Sequence, residues 1–360
     1  MVEFQEVVSL LKQMVEIPSF SGEEEGTALL LSDFLSRYEV QHHRTHNNIW
    51  ALSCGYDASK PTLMLNSHHD TVRPAKGYSR SPFDASEVEG RLYGLGSNDA
   101  GASLVSLIAT FIEYRDTSKL PFNLLLALTC EEENMGKHGM SAFLAEMQQN
   151  DIKIDMAIVG EPTSMQAATA ERGLVVLDGK VGGCSGHAAR NEGDNALYKA
   201  IEDIERLRNY TFDKCSEQLG DVKVTVTQIE AGTQHNVVPG ECNFVVDVRT
   251  TDAYTNEEVV ELLQSAVKYA MLTPRSVRIR ASAISCSHPL VEAAVAVGCK
   301  PFVSPTVSDR ALMKGIAALK IGVGESSRSH SADEYVLVEE IRHGISQYRA
   351  LLAMLADRLK

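Results

Sequence analysis

The stretch Thr62-Leu63-Met64-Leu65-Asn66-Ser67-His68-His69-Asp70 passes from an apolar run directly into histidine and aspartate. A short apolar run reads as a buried strand, and in open α/β sheets ligands gather just beyond the carboxyl ends of the strands. The pattern repeats. Residues 123–128 lead into Thr129-Cys130-Glu131-Glu132-Glu133, and residues 157–159 lead into Gly160-Glu161-Pro162-Thr163. Between them, residues 101–114 and 139–147 have helical length and periodicity. Strands alternating with helices predict βαβ units around a mostly parallel sheet, an α/β fold that brings three acidic or imidazole clusters to one edge. Two further clusters complete the set: Gly96-Ser97-Asn98-Asp99-Ala100-Gly101, and Ser329-His330-Ser331-Ala332-Asp333-Glu334 in a loop before the last helix.

Outward from this core, Val7, Leu10, Leu11 and Met14 have the spacing of an amphipathic N-terminal helix. Ser21 and Glu24 match a capping box, so a second helix is expected to start at Ser21 and run through Tyr38. The pattern changes between about residues 173 and 285. Strand candidates 174–180, 222–229, 242–250 and 275–282 interleave with helices near 194–208 and 255–271, the β-α-β-β-α-β order of a ferredoxin-like module. This predicts a catalytic domain in two parts, residues 1–175 and 286–360, interrupted by an inserted domain over residues 176–285.

The chain has 360 residues, 44% of them hydrophobic, which is ample for more than one core. A net charge of −14 argues against nucleic acid or an anionic membrane as partner and favours a small molecule or a divalent cation. No apolar run approaches the ~18 residues that a membrane span needs. Seven cysteines lie without CxxC spacing, and the N-terminus has neither a basic region nor a cleavage site, so reduced thiols and a cytoplasmic location are expected.

A single acidic or histidine cluster of this length recurs by chance, and an isolated Asp99 would read as a helix cap. Their joint occurrence changes the reading. Three adjacent glutamates after a strand repel one another unless cations or backbone donors compensate, and histidine with carboxylates is a ligand chemistry that suits zinc, with cobalt or manganese as substitutes. A cysteine hydrolase built on Cys184 and His187 is a remote alternative, because no helix N-terminus activates that thiol.

With these motifs in place, the chain resembles the M20 metallopeptidases, specifically the acetylornithine deacetylase and succinyl-diaminopimelate desuccinylase branch, from His68 to Glu334. The resemblance implies a di-zinc site in which His68, Asp99 and Glu161 hold one metal and Asp99, Glu133 and His330 the other. It further implies that Asp70 orients His68, that Glu132 is the general base, and that the peptide bond after Asp99 is cis. The inserted domain would be a lid and dimerisation domain. There His187 would stabilise the oxyanion in a partner subunit's site, and Asn236 and Arg249 would meet the substrate carboxylate. Ser308 and Gly324, in Thr306-Val307-Ser308-Asp309 and Gly322-Val323-Gly324, resemble the family's substrate-binding segments.

These expectations converge on a cytoplasmic homodimeric amidohydrolase that removes a small acyl group from an amino acid, N-acetylornithine first and N-acetylcitrulline or an N-succinyl amino acid next, in arginine biosynthesis. Arg328, two residues before His330, is either a recognition cation for a succinyl carboxylate or a surface arginine paired with Glu325. A dipeptidase or aminopeptidase of the same fold is the rival enzyme. A silent metal-binding scaffold is disfavoured, since it has no reason to keep Glu132 beside the ligands.

Overall fold

The computed structural model describes residues 2–118, 120–190 and 192–360. In chain order it contains α1 (Phe4–Glu16), α2 (Glu25–Arg37), β1 (His43–Thr45), β2 (Asn48–Leu52), β3 (Thr62–His68), β4 (Glu87–Val88), β5 (Arg91–Tyr93), α3 (Ala102–Tyr114), β6 (Asn123–Thr129), α4 (Met140–Gln149) and β7 (Met156–Val159). Then come β8 (Ala167–Glu171), β9 (Gly173–Gly182), α5 (Ala196–Arg208), β10 (Lys223–Ala231), β11 (Glu241–Thr250), α6 (Asn256–Ala266), β12 (Met271–Pro274) and β13 (Ser282–Ala283). The chain closes with α7 (Pro289–Ala296), β14 (Pro301–Ser304), β15 (Ala317–Lys320), β16 (Tyr335–Leu337) and α8 (Val338–Arg358). Two compact units result. One comprises Met1–Thr169, Ile284–Phe302 and Ser308–Lys360, the other Ala170–Ala283 and Val303–Val307.

The first unit is built on the strand order β1-β2-β6-β3-β7-β15. Strands β6, β3, β7 and β15 are parallel, while β2 runs antiparallel to β6. Every residue of β3, β6 and β7 is buried, as a sheet covered on both faces requires. Alternation along the strands divides them between two cores. Leu63, Leu65, Leu124, Leu126 and Ile158 pack with residues of α1, α3 and α8, whereas Met64, Leu125, Ala157 and Val159 pack with Met140, Phe143 and Met147 of α4. His68 and Thr129 are register partners, so two strands end level and release their polar clusters side by side. Among the described residues no helix is long and apolar enough to cross a membrane.

The second unit contains an antiparallel sheet of order β10-β11-β9-β12. With the chain order β9-α5-β10-β11-α6-β12, this is the ferredoxin-like arrangement. Two boundaries differ from the sequence reading. Helix α6 ends at Ala266 and the fourth strand is Met271–Pro274, not residues 275–282. The cause is Asp203 on α5. Its buried carboxylate accepts from the amides of Lys268 (2.8 Å), Tyr269 (2.8 Å) and Ala270 (2.7 Å), which takes those donors out of any helix and starts the strand early.

Capping separates true from false signals in the same way. Thr255 and Glu258 form the capping box of α6. Ser21 and Glu24, which match the same pattern, do not cap: α2 begins at Glu25, and both side chains serve the loops described below. Since one carboxylate satisfies three otherwise orphaned buried amides, Asp203→Ala is expected to lower stability by about 3 kcal/mol in chemical denaturation. A change within experimental error would show that those amides find other partners.

Candidate metal centre and active site

At the carboxyl edge of the parallel strands the expected ligands converge. Two groups present one donor atom per residue with all donors of a group within 4.8 Å of one another: His68, Asp99 and Glu161, and Asp99, Glu133 and His330. His68 Nε2 lies 3.4 Å from Asp99 Oδ1 and 3.8 Å from Glu161 Oε1. His330 Nε2 lies 3.6 Å from Asp99 Oδ2 and 3.0 Å from Glu133. Asp99 thus offers one oxygen to each group, as a bridging carboxylate must. The bond from Asp99 to Ala100 is cis.

Main-chain bonds fix His68 and the loop that carries Glu132 and Glu133. His68 Nδ1 contacts the Asp70 carbonyl at 3.0 Å, closer than the Asp70 carboxylate at 3.4 Å, so the main chain sets the ring and leaves Nε2 for a metal. The Asp70 carboxylate has a wider task. It accepts from Ser21 Oγ (2.7 Å), Glu132 N (3.0 Å) and Glu133 N (3.1 Å), and so holds the loop that carries the expected base and ligand. Buried Glu24 extends this by accepting from Glu131 N at 3.2 Å and Asn47 Nδ2 at 2.9 Å. The three glutamates then diverge. Glu131 turns to His138 (3.2 Å), Glu133 to His330, and Glu132 is buried beside the ligands.

The electrostatics call for cations. Burial, with Glu161, Asp309 and Glu133 nearby, holds the Glu132 carboxyl well above the usual range. Burial, with Asp99 and Glu133 adding to it, pushes Glu161 up to about 8 against the pull of His68 and Lys320. A hydrogen bond to Glu133, with Asp99 and Glu334 nearby, raises His330 to about 9. So many acids in one dry site resist ionising together unless positive charge is bound among them. The neighbouring His69 behaves oppositely. Burial drives it down to about 4, and its ring is held between Thr27 Oγ1 (2.8 Å) and the Asn47 carbonyl (2.9 Å), so it is a neutral packing residue.

Several expectations meet a different environment. Arg328 is committed: its guanidinium pairs with Glu340 through two bonds (2.7 and 3.1 Å), reaches Glu325 at 3.3 Å, and lies over the Tyr335 ring. Its charge is thus engaged by two acids, among them the Glu325 expected as its alternative partner, which disfavours recognition of a succinyl carboxylate by Arg328. In the Gly322-Val323-Gly324 turn, the first two amides already donate to Thr163 Oγ1 and Ser103 Oγ. Gly324 itself (φ +91°) is required because a Cβ there would lie 2.3 Å from Asn98 Oδ1. This turn supports the Asp99 segment by close approach. Ser308 is fully buried, followed by buried Asp309, which accepts from Thr129 Oγ1 at 2.7 Å.

His187, Asn236 and Arg249 belong to the second unit. The loops of the first two are joined, with His187 bridging Val237 and Ala188 N donating to the Asn236 carbonyl at 3.0 Å. Both residues are exposed, while Arg249 pairs with Asp247 on its own strand at 2.8 Å. Sequence reasoning gave Glu24 only a capping role and Glu334 none. Glu334 is 2% exposed and accepts from the amides of Asn98 and Asp99, each at 2.9 Å. Its place beside Asp333 in the His330 cluster was the available signal.

The sequence profile described as peptidase family M20/M25/M40 matches residues 64–354. A succinyl-diaminopimelate desuccinylase from Delftia acidovorans is 26% identical over 96% of this chain and 97% of its own length. Aminopeptidase PepT from Bacillus cereus is alike in fold, with a TM-score of 0.79 at 18% identity over 99% of both chains. So is Bacillus subtilis YXEP, described as a dinuclear metal-binding peptidase of the M20 family, with a TM-score of 0.73 at 17% identity over 98% of this chain and 97% of its own. The paired ligand groups and the match over most of the sequence have one conclusion: the chain belongs to peptidase family M20/M25/M40, the metal-dependent amide hydrolases.

Proposed function

We propose that this protein hydrolyses the amide bond of a small N-acyl amino acid at a dinuclear zinc centre held by His68, Asp99, Glu133, Glu161 and His330. The observation that carries the reading is the pair of ligand groups sharing Asp99 with the buried Glu132 carboxylate beside them. Imidazole and carboxylate donors are what zinc accepts, with cobalt a workable substitute. When bound, the metals supply Lewis acidity to the acyl carbonyl and lower the pKa of water. Glu132 then takes the proton of the attacking water and returns it to the departing nitrogen.

The Delftia acidovorans relative bears the desuccinylase name, which puts N-succinyl amino acids ahead of the N-acetylornithine expected from sequence, and leaves an arginine pathway without specific support. The acidic lining of the ligand groups gives no reason to exclude peptides, so short peptides are the rival substrates. Within this reading His187, Asn236 and Arg249 are proposed to contact substrate, and the second unit is proposed to join a homodimer. Sedimentation analysis tests the assembly.

A panel of N-succinyl-diaminopimelate, N-succinyl and N-acetyl derivatives of ornithine and citrulline, and di- and tripeptides tests the chemistry. Chelator-sensitive release of an amino acid from an N-acyl substrate is expected, and Glu132→Gln is expected to lower kcat by about 10²–10⁴-fold with metal content unchanged. Turnover of peptides alone would transfer the reading to a peptidase.

The titrations give a second expectation. In the metal-free protein Glu161 near 8 and His330 near 9 carry protons at pH 7 that metal ligation must displace. Calorimetry in buffers of different ionisation enthalpy is therefore expected to register proton release on metal binding, to which His68, also held well above its ordinary value, contributes alongside Glu161 and His330, with affinity rising with pH up to about 9. Both folded values lie above their ordinary ones, so the metal-free fold holds protons that the unfolded chain has lost. Its stability is expected to fall as pH rises from about 5 to 9, and added metal to offset that fall. Thermal melts across this range, with and without zinc, check the sign.

A further inference from the structure

We propose that Glu334 is a positioning residue of the metal centre, one that fixes Asp99 and ties it to the loop carrying His330. The inference rests on the metal-centre reading above and assigns the residue that makes the bridge rigid. Asp99 must point Oδ1 toward His68 and Oδ2 toward His330 at once, 3.4 and 3.6 Å away. Small rotations of its backbone would lose one or the other, and ligand constellations of this kind tolerate errors of only about 0.5 Å.

Among the contacts that fix that backbone, a single oxygen is central. Glu334 Oε1 accepts from Asn98 N and Asp99 N, both at 2.9 Å, while the Glu334 carbonyl accepts from Gly94 N at 2.9 Å. One residue thus grips the chain before and at the bridging ligand. The next residue, Tyr335, begins β16 and pairs with Tyr93 of β5, so Glu334 leads directly into a paired strand. Asn98 doubles the connection from the other side: its Oδ1 accepts from Glu325 N at 2.9 Å and its Nδ2 donates to the Glu325 carbonyl at 3.1 Å.

Three residues separate Glu334 from His330, and Asp333 among them is tied to Ser79 N at 2.9 Å and to Ser79 Oγ at 2.6 Å. His330 is exposed, with a left-handed backbone (φ +57°), and its position is set by anchors on both sides: Arg328 before it, bonded to Glu340, and Asp333 and Glu334 after it. The group of Asp99, Glu133 and His330 therefore depends on Glu334 through two of its three ligands, whereas His68, Asp99 and Glu161 depend on it through one. What the site asks of residue 334 is an acceptor oxygen at the end of a three-carbon reach. Glutamine supplies that oxygen, alanine supplies none, and aspartate keeps the charge but falls short.

The test is titration of the metal-free wild type, E334A, E334D and E334Q with cobalt(II), followed by visible absorption, with far-UV circular dichroism to verify folding. Wild type and E334Q are expected to bind two equivalents with matching spectra. E334A and E334D are expected to bind roughly 10–100-fold more weakly, with the second equivalent suffering more than the first. Should E334A not fold, E334D decides. Two equivalents bound by E334D with wild-type affinity and spectrum would overturn the positioning role while leaving the metal centre intact. A folded wild type that takes up no cobalt would instead overturn the metal-centre reading, and the inference with it.

Discussion

Everything at the site hangs on a fully buried carboxylate that is not one of the proposed ligands. Asp70 accepts from Ser21 Oγ, Glu132 N and Glu133 N, and its own carbonyl receives the His68 ring. Taking an ion out of water costs several kcal/mol, and charge-assisted bonds to otherwise unpaired amides are what make it tolerable. The arrangement joins three remote pieces of chain: the loop before α2, the end of β3 and the turn after β6. Asp70 therefore acts less as a partner of one histidine than as the knot that gives His68, Glu132 and Glu133 a common frame.

Glu24 and Glu334 repeat the device at other points of the rim. Each is buried and each turns one oxygen to backbone amides of a segment that carries chemistry, Glu24 Oε1 to Glu131 N and Glu334 Oε1 to Asn98 N and Asp99 N. The ligands themselves, Asp99, Glu133 and Glu161, are thereby left with oxygens that face one another instead of the backbone. Burial and mutual proximity hold Glu132 and Glu161 toward their protonated forms, and this unrelieved crowding is the electrostatic reason the centre favours divalent cations.

Much of the fold was legible because the signals were long and redundant. The apolar runs of β3, β6 and β7 gave the parallel sheet, and the four strands and two helices of the second unit gave its ferredoxin-like order. The misreadings were local and had a shared cause. Ser21-x-x-Glu24 and Thr255-x-x-Glu258 are equivalent as patterns, yet only the second caps a helix, because Asp70 and Glu131 compete for the side chains of the first. Arg328 looked available for a substrate because Glu340 lies twelve residues away in sequence, beyond the range of any local rule.

By itself the sequence determined which residue types stand at the ends of β3, β6 and β7, while the proposed ligand set and the role of Glu132 came from the resemblance to the M20 metallopeptidases. Strand ends are local, and a hydrophobic run announces where it stops. Only the tertiary structure decided which acids face the centre and which serve the backbone. Glu131, Glu132 and Glu133 are chemically identical neighbours, and Asp70, Glu24 and Glu334 have the same functional group as the ligands. Their division of labour follows from which amides are left unpaired by the crossing of distant segments, and that is a property of the packed chain alone.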